Sequence, residues 1–342
     1  EGATVTFWAE SSFGDKTYDY SALVRVVDSG VTNVEDEGGW HIDLMSSQMT
    51  SDLSNSCAQI WGAFPPVGPP PDWLSTPGDT RLLASDQPFT FLAGRLISAG
   101  IVDALDCPSG GIDGNGYANT CGLDKAREDV EHWQNRFDAQ IIDVALETGI
   151  PAQLMKNLFA KESQFWPGAF TNNIEEFGLG QLTEIGADTV LLWNREFFTQ
   201  FCPFVLDAES CAKGYANLDE EDQKMLRGAL ALDASASCED CPLGIDLTQA
   251  DFSINIFAQT LHANCKQVSQ LVTNESGKTP GEVSNYEDLW RLTLANYHSG
   301  PGCLSEAIDS VPSSLRLNWN NIAPQLEDEC PGTVEYVEEI TE

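Results

Sequence analysis

The chain has 342 residues, 42% of them hydrophobic and nine of them tryptophan, which predicts folded protein with a substantial core and two or more domains, not an acidic disordered chain. Its 53 acidic residues against 17 basic ones give a formal net charge of -36, which excludes nucleic acid and anionic bilayers as general partners because phosphate would be repelled. Ten cysteines, at 57, 107, 121, 202, 211, 238, 241, 265, 303 and 330, are scattered through the chain without repeated ligand clusters, a pattern that predicts disulfides of unspecified connectivity and an extracellular, cell-surface or cell-envelope location.

No stretch has the unbroken apolar length of a transmembrane segment, no basic and apolar leader opens the chain, and the absence of an initiating methionine predicts a processed product or a piece of a larger precursor. Residues 1–60 are predicted to be β-rich, with partial alternation in "ATVTFWAE" and "SALVRVVDSG" and a third strand in "GGWHIDLMSS". Residues 61–84, including "WGAFPPVGPPPDW", lack the backbone donors of regular structure and predict a proline-rich linker or strap.

Helical patterning dominates residues 85–325. It begins in "FTFLAGRLISAGIVDALD" and, after the glycine-rich loop "CPSGGIDGNGYANTCG", continues in "LDKAREDVEHWQNRFDAQIIDVALETG", with Asp124 as a candidate cap and Gly149 as a stop. Pro151 opens "PAQLMKNLFAKES", where Leu154, Leu158 and Phe159 form one face and Glu162 falls on the same side, four residues beyond Leu158. Further helices are predicted in "TEIGADTVLLWNREFFTQFC", "DEEDQKMLRGALALDAS", "SINIFAQTLHANCKQVSQLV" and "NYEDLWRLTLANYHSG". A cysteine-rich insertion occupies about residues 200–250, and the acidic tail, 326–342, reads as a short extended end tied down at Cys330.

Glu162 is the candidate for chemistry. The turn that follows it, "QFWPGAF", supplies Phe165, Trp166 and Phe170, which can desolvate a carboxyl group and raise its proton affinity as a general acid requires. Further on, "GLGQL" offers glycines that let backbone approach a ligand and a Gln181 amide that can donate and accept. The alternative is a solvated helix glutamate, and for the aromatics a place in the core.

These blocks resemble the soluble lytic transglycosylase and goose-type lysozyme-like superfamily, with "KESQFWPGAF", "EFGLGQLTEIGA", "SINIFAQTLHANC" and "LANYHSGPG" in the family's order over about residues 140–310. The resemblance implies a mainly α fold: a lysozyme-like helical domain with a cleft, beside the small N-terminal β-rich region. It also implies cleavage of the bond between N-acetylmuramic acid and N-acetylglucosamine in peptidoglycan or a related N-acetylated glycan, with Glu162 as the catalytic acid and base and no cofactor required. Ser163, Gln181, Tyr297, His298, Phe165 and Trp166 are then candidate substrate-binding residues, with Tyr297 expected beside Glu162.

The chain departs from the family at three of these positions. Gly180 stands where methionine is usual, which predicts a wider subsite or looser surroundings for the acid, and His298 and Ser299 replace asparagine and alanine. Such departures also suit a catalytically inactive surface, filament or glycan-binding structural protein capable of self-assembly.

Other motifs are weaker. Asp113, Asn115 and Asn119, with Asp124, are candidate calcium ligands, although the glycine placement and the missing final glutamate depart from an EF-hand; the alternative is a turn pinned by Cys107 and Cys121. "CEDC" with His262 and Cys265 matches no zinc module and reads as disulfide chemistry. Histidines at 41, 132, 262 and 298 support no Ser-His-Asp arrangement.

Overall fold

The computed structural model describes residues 2–28, 40–45, 56–168, 176–241 and 243–342. They are mainly helical, with a small three-stranded antiparallel sheet at the N-terminus, as the patterning predicts. The strands are β1 (Ala3–Phe7), β2 (Tyr20–Asp28) and β3 (Trp40–Met45), in the order β1-β2-β3. The helices are α1 (Cys57–Trp61), α2 (Thr90–Ser98), α3 (Thr120–Asn135), α4 (Asp138–Thr148), α5 (Ala152–Ser163), α6 (Glu184–Trp193) and α7 (Arg195–Phe201). They continue with α8 (Ala208–Ala212), α9 (Glu220–Ala234), α10 (Leu247–Ser276), α11 (Pro280–Val283), α12 (Tyr286–Asp309), α13 (Trp319–Glu329) and α14 (Thr333–Thr341).

Two compact units result, each assembled from distant segments: Glu1–Pro70 with Cys265–Val334, and Pro71–Asn264 with Glu335–Glu342. The first division falls inside the proline-rich strap; the second cuts α10, within the region that patterning reads as one helical domain.

In the first unit, one face of the sheet meets the strap. Arg25 pairs with Asp43 across β2 and β3, lies 4.4 Å from the Phe64 ring and donates to the Pro65 carbonyl oxygen at 2.9 Å. Register pairs Val26 with Ile42 and Val24 with Leu44, so these residues share the other face, where Trp40 and Ile42 are 69% and 63% exposed. The Trp61 indole is fully buried, 5.1 Å from the Trp290 ring on α12, and its N–H donates to the Cys265 carbonyl oxygen.

The second unit packs α2 on α3, α4 on α5 and α6 on α9. Close approach of α2 to the following loop needs Gly94, where a Cβ would lie 2.1 Å from the Gly116 carbonyl oxygen. Arg227 on α9 pairs with Glu184 and Asp188 on α6, both at 3.0 Å, and Tyr215 donates its hydroxyl proton to Asp188.

Several elements differ from their prediction. The stretch 123–149 is two helices, broken at Arg136 and Phe137, and Asn119 caps the first of them at Gly122 N while Asp124 lies one turn inside. The tail is helical and not extended: Tyr336, Val337 and Ile340 fall on one side of α14 and are all buried, which favours a helix. The predicted helix from Phe89 stops at Ser98, just before Gly100 at φ +73°.

All ten cysteines pair: 57–265, 107–121, 202–211, 238–241 and 303–330. Disulfides persist in oxidising compartments, and no helix among the described residues is long and apolar enough to cross a membrane. Cys57 and Cys265 are separated by 208 residues and Cys202 and Cys211 by 9. Loop entropy grows with the span closed, so serine replacement of the first pair is expected to cost about 3 kcal/mol more than replacement of the second. Urea unfolding of the two double variants measures the difference.

Candidate active site

Glu162 occupies the last turn of α5. The helix begins after Pro151, whose missing donor costs nothing there, and its residues Leu154, Met155, Leu158 and Phe159 are fully buried. It ends because Gln164 and Phe165 adopt left-handed conformations, at φ +47° and +61°. Three hydrogen bonds fix that turn: the Gln164 side-chain oxygen accepts from Phe91 N at 2.9 Å, the Trp133 indole N–H donates to the Phe165 carbonyl oxygen at 2.9 Å, and Trp166 N donates to the Ser163 carbonyl oxygen at 2.9 Å.

Ser163 faces inward and donates to the Leu179 carbonyl oxygen at 2.7 Å, which ties the end of α5 to the segment "FGLGQL". That segment is a tight turn in which Phe177 and Leu182 exchange both backbone hydrogen bonds, at 3.1 and 2.9 Å. Gly178, at φ +72°, is required there: a Cβ would lie 2.1 Å from the Ala234 carbonyl oxygen. Gln181 donates from Nε2 to the Gly178 carbonyl oxygen at 2.7 Å, whereas its buried Oε1 has no hydrogen-bond partner among the described residues. An acceptor of this kind can take one further N–H or O–H.

The Glu162 carboxyl is partly buried, and the Tyr336 hydroxyl on α14 donates to its Oε1. Burial pushes its pKa up to about 7; Tyr336 opposes the rise, the Glu176 charge adds to it and the Lys161 charge opposes it. A carboxyl group held near neutrality can give a proton to a leaving oxygen and take one back. Two further links hold α14 to α5: Lys161 pairs with Glu339, and Asn157 Nδ2 donates to the Ile340 carbonyl oxygen at 2.8 Å.

Glu162, Ser163, Phe165, Trp166 and Gln181 therefore all lie in the second unit, where Ser163 links the acid's helix to the turn that carries Gln181. Phe165 is fully buried, and Trp166 stacks on Trp133 at 5.6 Å between ring centroids, so both aromatics pack in the core. Phe170 lies outside the described residues. Tyr297, partly buried, and His298, exposed, are on α12 in the first unit, where the helix breaks at Gly300 with φ +78°. Tyr336, the hydrogen-bond donor to Glu162, is the residue that sequence reasoning missed; the spacing of Tyr336, Val337 and Ile340 is the signal that could have placed it on a buried helical face.

At Gly180 the structure gives a different outcome from the predicted wider subsite. A Cβ there would sit 2.5 Å from Phe257 Cδ1, so the Phe257 ring fills the space a side chain would take. Phe177 also lines a cavity of about 530 Å³ whose walls include Glu176, Glu184, Lys224 and Arg227.

In the loop between Cys107 and Cys121, Asp113 Oδ1 accepts from Asn115 N and Tyr117 N, Asn119 caps α3, and Asp124 pairs with Arg127 at 2.9 Å. The four candidate calcium ligands thus serve local turns, a helix cap and an ion pair. No group of three or more His, Cys, Asp or Glu side chains suited to a metal ion occurs among the described residues.

Comparison of the chain with protein-family models, with characterised proteins and with solved structures finds no match.

Because Tyr336 lowers the proton affinity of Glu162, Tyr336→Phe is expected to move the Glu162 titration upward from about 7, as read by carbon NMR of labelled glutamate. Gly180→Met is expected to cost about 1–3 kcal/mol in denaturant unfolding, since the Phe257 ring must shift to admit the side chain.

Proposed function

We propose that the chain is a peptidoglycan-cleaving, lytic transglycosylase-like enzyme of the cell exterior or envelope, acting on the β-1,4 bond between N-acetylmuramic acid and N-acetylglucosamine with Glu162 as its single acid and base. The observation that carries this reading is the Glu162 carboxyl: partly buried, poised near 7, and bonded by Tyr336. The unpartnered Gln181 oxygen supports it, because an acetamido N–H is a donor of the kind that atom lacks. The ordered resemblance of four sequence blocks supplies the substrate class.

In this mechanism protonated Glu162 gives its proton to the glycosidic oxygen as the bond to the muramyl carbon breaks, while the substrate's acetamido oxygen stabilises the cationic carbon. The resulting Glu162 carboxylate accepts the Tyr336 hydrogen bond and takes the proton of the muramyl 6-hydroxyl as that oxygen closes the 1,6-anhydro ring. Water in place of the hydroxyl gives hydrolysis. One carboxyl group suffices, in contrast to glycosidases that pair an acid with a second carboxylate, and no cofactor is required.

A second reading rests on a different observation. Trp40, Ile42 and Val26 are exposed on one face of the sheet, and an apolar face of that kind favours a catalytically inactive lysozyme-like surface, filament or glycan-binding protein that self-assembles. Inertness toward peptidoglycan, combined with sedimentation as an assembly, would replace the enzymatic reading with this one.

Purified protein incubated with peptidoglycan is expected to release fragments with anhydro ends, identified by mass spectrometry. Glu162→Gln should lower the rate by about 100-fold or more. Turnover should fall as pH rises through about 7, where the acid form is lost. The same carboxyl is protonated in the folded state and ionised in the unfolded chain between its ordinary value of 4.5 and about 7, so its contribution to stability is lost as pH rises through that window. The melting temperature of Glu162→Gln relative to the parent should therefore climb between pH 4.5 and 7; a flat difference together with unchanged turnover would reject the assignment.

A further inference from the structure

Outside the Glu162 site the second unit buries a second reactive cluster. Lys156 on α5 is 2% exposed and Asp138 at the start of α4 is 3% exposed. The Lys156 amine lies 2.7 Å from Asp138 Oδ1 and 2.7 Å from the Oδ1 of Asn135, the last residue of α3. Buried lysines are rare, and one that touches both a carboxyl group and a carboxamide has the parts of an acyl-transfer site: a nucleophile, an electrophile and a proton carrier.

Each part is positioned. The Asn135 carboxamide is clamped, with Nδ2 donating to the Ser85 and Glu131 carbonyl oxygens at 2.7 and 2.9 Å, and its Oδ1 accepts from Ser85 N at 2.8 Å as well as from Lys156. Donors aimed at a carbonyl oxygen polarise the carbon and stabilise the oxyanion that forms when it is attacked. Asn135 itself is partly buried, while the fully buried Phe165 ring has its centroid 5.9 Å from the Lys156 amine. Burial lowers the proton affinity of Lys156 and raises that of Asp138, both against their mutual attraction, so each group is moved toward its neutral form. A neutral amine is the nucleophilic form.

We propose that Lys156 and Asn135 condense into an intramolecular isopeptide bond, with Asp138 carrying the proton. Lys156 Nζ attacks Asn135 Cγ. Asp138 gives its proton to Nδ2 and takes one from the attacking nitrogen, the Cγ–Nδ2 bond breaks, and ammonia leaves. One amine and one carboxamide become one secondary amide and one ammonia, with no change in oxidation state and no external reagent. The bond links the end of α3 to the middle of α5, directly under the turn that carries Glu162, and it is independent of what Glu162 does.

Intact-mass measurement of the full-length protein, after reduction and alkylation of all ten cysteines, tests the proposal. The expected mass lies below that of the sequence by one ammonia, about 17 Da, and fragmentation should recover a branched peptide joining Asn135 to Lys156. Asp138→Asn should restore the full mass, as should Asn135→Ala. Parent protein at the full sequence mass would overturn the proposal whatever the variants do, and a deficit of one water in place of ammonia would put the bond at Asp138 and overturn the assignment to Asn135.

Discussion

A carboxyl group withdrawn from water keeps its proton unless a donor or a cation compensates the charge, and at Glu162 the two tendencies meet. Burial drives the group toward its neutral form, and the Tyr336 hydroxyl pulls it back. Tyr336 comes from the last helix of the chain, 174 residues from Glu162, so the proton affinity of the candidate acid is set by how α14 docks on α5. The links from Lys161 and Asn157 to Glu339 and Ile340 make that docking a multi-point contact, and a hydroxyl on a helix tied down beyond it is a better-defined donor than one on a frayed end.

The backbone around the acid is as constrained as its side chain. Two successive left-handed residues after α5, neither of them glycine, cost about 1–2 kcal/mol each. The bonds from Phe91 N and the Trp133 indole are of comparable size, about 1 kcal/mol each, and both are made to core elements. Trp166 is therefore not free to be a sugar platform: the same turn that aims Glu162 seats the indole on Trp133. Ser163 extends the logic, since its bond to the Leu179 carbonyl locks the acid's helix to the turn that presents Gln181. Both loops of the candidate site are thus held from behind by packed protein.

Much of this was legible from local pattern. Partial alternation marked β1 and β2, apolar spacing marked α5, and Gly149 and Gly300 stand at a stop and a break because only φ above zero serves there. What escaped was long-range or lacked a local signal. The break between α3 and α4 carries neither glycine nor proline; it exists because Phe137 turns fully into the core. Asn119 rather than Asp124 caps α3 because the helix starts one turn earlier than its apolar periodicity, at the disulfide loop. The absent side chain at Gly180 is visible in sequence, but the Phe257 ring that occupies its place is not, and the same holds for Tyr336.

The acidity of the chain bears on the acid as well as on its partners. Only 17 basic residues offset 53 acidic ones, and the buried Lys156–Asp138 pair takes one charge of each sign from the surface, so the excess of negative charge stays outside. A negative surface field favours the protonated form of every carboxyl group and so acts on Glu162 in the same direction as burial, with Glu176 as its nearest contributor. The two contributions differ in range: mobile ions screen surface charge over about 8–10 Å at physiological salt, whereas desolvation of a buried group does not depend on them. Salt therefore removes the field and leaves the burial. An acid poised near neutrality mainly by desolvation keeps its proton affinity across changes in ionic strength, which one poised by surface charge alone could not do.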